Sequence, residues 1–438
     1  MNKAYSERLP DTEPGPGATQ AGAGGSDPSP KSLTPDPLCL ELLLHCLSSS
    51  RKPLAVSREP TPDWNEVIAI ASRHYLTPLL YTRLKESDVR ADVPADVWER
   101  LRRTYIASAV RNMSLYGELR KVLQRLRSSG IKVIVLKGAF LAEAVYGDDA
   151  LRPMTDVDLM VPKAGLPRAH AFLLDMGRVH QQPEDSDSRY KRSGKLRLPA
   201  GTGIDLCWTI DVPGGRSRLD SAGLWDRAHP ATIAGVEVLA LSPEDLLLHV
   251  CLHASVSHGL GIGVRPFCDI AETIHRFRSE MDWAQVVERA REWGATRYVG
   301  LTLHLARSML GTGVPDDVLE RLVPGGIARR VLEMARESVL TQTGYGQWAP
   351  FFDLVGAKSL GDKAKLSWER VFLSRGEMAA VCPASRGSRH LYFYYVLRLR
   401  DVIRTYGAHT LRRARLMMQS RGRDRKASLV NWLRSGKP

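Results

Sequence analysis

The sequence predicts an α+β protein: a small mixed β-sheet core set between N-terminal helices and a larger C-terminal helical domain. Apolar residues recur at helical spacing on both sides of residues 131–240, and only within that block do short β-branched runs alternate with turn signals. The 438 residues exceed one ordinary core and suit two or three packed units. With 43% hydrophobic and 25% charged residues the composition is globular. The chain lacks a run of about 18 uncharged apolar residues, so no transmembrane helix is expected.

Residues 1–37 carry seven Pro and five Gly with few large apolar side chains, and are expected to be a disordered leader. Order is expected from Leu38, where PLCLELLLHCL is dense enough for a buried helix, and an N-terminal helical region is expected over 38–130. Its clearest element spans Ala95 to Ser128. There Trp98, Leu101, Tyr105, Ala109, Met113, Tyr116, Leu119, Leu123 and Leu126 form a stripe at steps of three and four, and Gly130 follows as a stop.

The period then changes. Ile131 to Leu136 and Met154 to Pro162 read as strands, separated by a short helix that opens at Lys137-Gly138-Ala139. A helix is expected from Leu166 to Met176, then a polar loop containing Glu184, Asp185 and Asp187, then a hairpin in KLRLPAGTGIDLCWTID. From Ser242 the chain reads as a helical domain to about 385, opening with an N-cap serine and an acidic first turn. Residues 386–438 form a basic helical tail.

Charge is concentrated in that tail. The net charge is +14, and fourteen Lys and Arg against Asp401 and Asp424 place +12 after residue 385, leaving only +2 for the rest. Leu411, Met417, Leu429, Val430 and Leu433 have amphipathic spacing, so the tail either packs on the protein or lies on an acidic surface such as RNA or an anionic membrane. A solvated tail is the preferred expectation, and nucleic acid is the less favoured partner, because no aromatic ladder accompanies the charge. The six cysteines are scattered without a CxxC pair, and the first residues lack the apolar segment of a secretory leader. Both features point to a reducing, cytoplasmic setting.

The most informative segment is Asp156-Val157-Asp158. Strand residues two apart face the same way, so both carboxylates share a face while Val157, Leu159 and Val161 bury the other. Two like charges so close repel unless a cation lies between them, and Mg²⁺ prefers carboxylate oxygen. A solvated edge strand is the plain alternative. Asp205, in GIDLCW, is the natural third acid if its strand pairs beside the first; otherwise it is a lone residue near a turn. Three converging carboxylates can hold two metal ions for an in-line phosphoryl or nucleotidyl transfer. Lys137-Gly138-Ala139 adds a strand-to-helix turn where glycine permits close approach to a phosphate.

These residues resemble the DNA polymerase β-type nucleotidyltransferase superfamily: strand, Gly-containing turn, helix, Asp-x-Asp strand, and a later strand with a third Asp. VIVLKGAFLAEAVYGDDALRPMTDVDLMVP more closely resembles a bacterial group of uncharacterised nucleotidyltransferase-like proteins, and the resemblance extends over about residues 60 to 320. It implies a magnesium- or manganese-dependent enzyme that moves an NMP from an NTP, ATP among the candidates, to an acceptor hydroxyl. It implies Asp156, Asp158 and Asp205 as metal ligands, with Asp205 also able to help deprotonate the acceptor. Gly138 and Ala139 would lie at the triphosphate, with Arg152 and Lys137 as phosphate-binding side chains. Ala139 replaces the usual Gly or Ser and Cys207 a common His. Those departures leave open a catalytically idle binding or scaffold protein, and the basic tail leaves open an RNA-modifying enzyme.

His249 and His253 lie four apart like a zinc pair, with His258 or Cys251 nearby, but HVCLH lacks the Glu of HExxH. A substrate-facing role for His253 is better supported by the resemblance. Asp269 either faces the active site or pairs with Arg265. No GxGxxG, GxxxxGK[ST], GxSxG or kinase HRD set is present. The acceptor, the particular NTP and the oligomeric state are not encoded in any motif.

Overall fold

The aliphatic run Ile134–Leu136 is too short to be more than a central strand, and it needs neighbours on both edges. A computed structural model supplies them; it describes residues 36–48, 62–176, 195–197, 202–213, 219, 221–342 and 423–436. Four helices come first: α1 (Pro37–Leu47), α2 (Trp64–Arg73), α3 (Thr77–Lys85) and α4 (Ala95–Ser128). The sheet region follows with β1 (Ile134–Leu136), α5 (Lys137–Phe140), β2 (Asp156–Met160), α6 (Leu166–Asp175), β3 (Lys195–Arg197), β4 (Gly203–Cys207), α7 (Ala222–Asp226), β5 (His229–Ile233) and β6 (Val236–Ala240). Helices α8 (Pro243–Leu252), α9 (Arg265–Arg276), α10 (Trp283–Glu292), α11 (Thr296–Leu310), α12 (Asp316–Leu322), α13 (Arg329–Leu340) and α14 (Arg423–Ser435) complete the described chain.

The six strands form one mixed sheet in the order β3-β4-β2-β1-β6-β5. β2 lies parallel to β4 and antiparallel to β1, β1 is parallel to β6, and β3 is antiparallel to β4. The expected hairpin is present, and its second strand is the one beside β2. Ile134, Leu136, Val157, Leu159, Ile204 and Leu206 are all buried at 0–1% exposure. Full burial of each such side chain is worth about 1.5–3 kcal/mol, which fixes the register that positions the acids.

Helix α4 has the predicted bounds, and Gly130 ends it in the left-handed region at φ +70°. Its apolar stripe is broken where the sequence predicts continuity. Met113 is 73% exposed, and the inward places in mid-helix belong to Ser108 and Asn112. Asn112 Nδ2 donates to the carbonyls of Asp149 and Arg152, so this face serves a polar loop instead of a hydrophobic neighbour.

Ser242 caps α8 as expected, its Oγ accepting from Asp245 N. Beneath that cap Arg289 reaches Ser242, Glu244 and Asp245, and Arg227 adds a second contact to Asp245. In α14, Leu429, Val430, Trp432 and Leu433 are buried and the helix packs on α13. The preferred expectation of a solvated tail is therefore corrected for this segment, because four large apolar side chains on one short helix favour packing over exposure. Leu411, Met417, residues 1–35 of the expected 1–37 leader and the loop with Glu184, Asp185 and Asp187 lie outside the described residues, and Pro37 belongs to α1 instead of the leader. Cys39, Cys46, Cys207, Cys251 and Cys268 are buried thiols outside any disulfide, and among the described residues no helix is long and apolar enough to cross a membrane.

Candidate active site

Strand pairing gathers the acids. β2 presents Asp156 and Asp158 on one face while Val157 and Leu159 are fully buried on the other. In the parallel ladder with β4, Asp158 is the direct partner of Asp205 and Asp156 the partner of Gly203. Asp158 and Asp205 are 8% and 1% exposed, and Asp156 is half-buried. A Cβ on Gly203 would stand 3.2 Å from the Cβ of Asp156, so glycine opposite the first acid gives that carboxylate its room. The sequence reading missed Gly203; its signal is a glycine two places before the third acid.

Lys137 leaves β1 with φ +42°, a left-handed conformation that costs a non-glycine residue about 1–2 kcal/mol. Its side chain is buried, and Nζ donates to Asp158 Oδ1 at 3.1 Å. Gly138 follows. A Cβ there would meet Arg152 Nη1 at 2.8 Å and Met154 Sδ at 3.1 Å, so the missing side chain is what admits Arg152 to the turn. Ala139 is fully buried and its carbonyl accepts from the Tyr116 hydroxyl at 2.6 Å. Burial pushes the Tyr116 phenol up, which keeps it a donor. A π-helical turn, Leu141–Val145, carries the chain onward against α9.

Arg152 is held at both its side chain and its backbone. Its Nε and Nη2 donate to Asp269 Oδ1 and Oδ2, both at 2.9 Å, and Tyr146 donates to the same carboxylate at 3.0 Å. Asn112 fixes its carbonyl at 2.9 Å. Burial, the largest single influence, lowers the Arg152 pKa, but the charge and hydrogen bonds of Asp269, with Tyr146 and Asp158, together outweigh it and the pKa is raised. Burial lowers that of Arg265, assisted by the Arg152 charge; Arg265 Nη1 donates to Pro153 O at 3.0 Å. Asp269 thus pairs with Arg152, where the sequence offered Arg265 or the substrate. Two of the three guanidinium nitrogens of Arg152 are committed to that carboxylate, leaving Nη1 directed at the Gly138 turn.

His249, His253 and His258 form a short ring series. The first two centroids are 6.4 Å apart, and His253 meets His258 edge-on at 4.4 Å. His253 opens a second π-helical turn, His253–Ser257, whose Ser257 donates to Asp211 at 2.8 Å in the segment after β4. Among the described residues no three His, Cys, Asp or Glu side chains are gathered tightly enough to hold a metal ion as they stand. The donor chemistry of the acid trio nevertheless fits a hard divalent cation, all three being carboxylates on adjacent strands about 4.8 Å apart.

A sequence model of the family described as uncharacterised nucleotidyltransferase matches residues 60–311, more than half of the chain. The chain belongs to this nucleotidyltransferase family. The match begins before α2 and ends after α11, so it takes in the acids, the Lys137 turn and the Arg152–Asp269 pair. No curated protein matches this nucleotidyltransferase. Among solved structures it is similar to the antibiotic-resistance factor ANT(2'')-Ia. That likeness has 18% identity, covers 44% of this chain and 97% of that one, and has a TM-score of 0.29.

Proposed function

We propose that this nucleotidyltransferase moves an NMP from an NTP to an acceptor hydroxyl, with Asp156, Asp158 and Asp205 holding divalent magnesium or manganese. The observation that carries the reading is the direct pairing of Asp158 with Asp205, with Asp156 two residues away on the same face. A divalent cation bound there would draw off charge from the triphosphate and lower the barrier to in-line displacement. Asp205, the most buried of the three, accepts the proton as the acceptor oxygen bonds to the α-phosphorus. The bond from that phosphorus to the bridging oxygen breaks, and pyrophosphate leaves with its electron pair. Lys137 and the Nη1 edge of Arg152 flank the Gly138 turn, where the leaving phosphates would lie.

The idle-scaffold alternative drew on Ala139 and Cys207. Both side chains are buried, at 0% and 4% exposure, and Cys207 lies two residues after Asp205 on the same face of β4. The buried thiols of the described cysteines suit the reducing cytoplasm. The test is pyrophosphate release from each of the four NTPs with Mg²⁺ or Mn²⁺ against pooled cell extract. The wild type is expected to release it and Asp156→Ala plus Asp158→Ala is not; equal release in both rejects the proposal.

A further inference from the structure

Lys137 is the feature that the transfer reading uses least. It is a buried cation at a backbone angle that disfavours any side chain, at the end of β1 where Leu136 pairs with Asp158. A buried ammonium needs a partner, and Nζ has one in Asp158 Oδ1 at 3.1 Å. That carboxylate also stands beside Asp205 in the sheet. Two acids on neighbouring strands repel, and the lysine offsets that repulsion from within the chain.

We infer that Lys137 is a built-in counter-cation: its ammonium and a divalent metal ion are alternative partners of Asp158. The inference rests on the reading of the three acids as metal-holding carboxylates. When a divalent ion takes Asp158, the ammonium is displaced toward the Gly138 turn, where the anionic triphosphate of the NTP becomes its partner. Metal entry and phosphate binding are thereby coupled through one side chain. The turn matches this role, because the Nη1 edge of Arg152 stands against Gly138 beside the lysine, a second cation for the phosphates, while the flexible lysine stem can span both positions.

The coupling predicts opposite signs for one substitution. Lys137→Met keeps the stem and removes the charge, and Lys137→Gln keeps a donor without the charge. Mn²⁺ binding to the protein alone, read by electron paramagnetic resonance, is expected to tighten by roughly tenfold in both. Binding of ATP and GTP with Mn²⁺ is expected to weaken in the same variants. Unchanged or weaker Mn²⁺ binding in either folded variant overturns the inference. A second measurement uses the unaltered protein: Mn²⁺ is expected to raise labelling of Lys137 by an amine-directed reagent, read by mass spectrometry, and unchanged labelling overturns the inference. If Asp156→Ala plus Asp158→Ala binds Mn²⁺ as the wild type does, the acid-site reading itself fails and takes the inference with it.

Discussion

Arg152 and Asp269 meet through two parallel hydrogen bonds of 2.9 Å, although 117 residues separate them in the chain. The pair joins the loop that precedes β2 to helix α9, and both side chains are less than a tenth exposed. Tyr146 closes on the same carboxylate, so the guanidinium has one orientation available. This fixes the Nη1 edge against Gly138 and gives the turn its shape.

Removing one partner strands the other charge in a buried place. Asp269→Ala is expected to lower unfolding stability by about 3–5 kcal/mol in urea titrations. Asp269→Leu combined with Arg152→Met is expected to lose less than the sum of the single changes. Additive losses would show that the two side chains do not act as a unit.

Gly138→Ala would bring a Cβ within 2.8 Å of Arg152 Nη1, an atom that the Asp269 pair prevents from swinging away. A stability loss of about 1–3 kcal/mol is expected, with partial recovery when Arg152→Met is added. Chemical denaturation of the four proteins checks this, and the absence of recovery would place the clash elsewhere.

Neighbouring positions on α4 should differ sharply. Asn112 is fully buried and serves two carbonyls, so Asn112→Ala is expected to cost about 1–3 kcal/mol. Met113→Lys, one residue on and 73% exposed, should stay within about 0.5 kcal/mol of wild type. Thermal melts of the two variants decide it.

Much of this site was legible in the sequence because strands alternate and charges repel. Asp156 and Asp158 had to share a face, and the hairpin reading put Asp205 on a strand able to sit beside them. Strand order was the missing fact, since a parallel pairing of β2 and β4 is made by chain segments that no local pattern links. Asp269 eluded a firm reading for the same reason, its partner being far away in sequence. The break in α4 was visible in principle: Ser108 and Asn112 lie four apart, and Asn112 lies four before Tyr116, polar residues at helical spacing. Nothing in the sequence marks Lys137 as left-handed, because a lysine before glycine adopts that angle only when the surrounding sheet imposes it.

His74 gives the fold a pH dependence separate from the site. It is wholly buried beside Val264 N, and burial, with Arg73 adding repulsion, lowers its pKa from 6.5 to about 4. The unfolded chain binds this proton more readily, so stability is present above pH 6.5 and declines as pH falls toward 4. The loss attributable to His74 is about 3 kcal/mol. Urea midpoints measured from pH 7 to 4 are expected to fall, and the slope should flatten in His74→Leu.

The most direct measurement follows the α-phosphorus. With Mg²⁺, extract-derived acceptor and NTP labelled at either the α or the γ position, the protein is expected to transfer the α label to the acceptor and release the γ label as pyrophosphate. Asp205→Asn should abolish both. Transfer of the γ label to the acceptor, or α transfer that survives Asp205→Asn, would contradict the account.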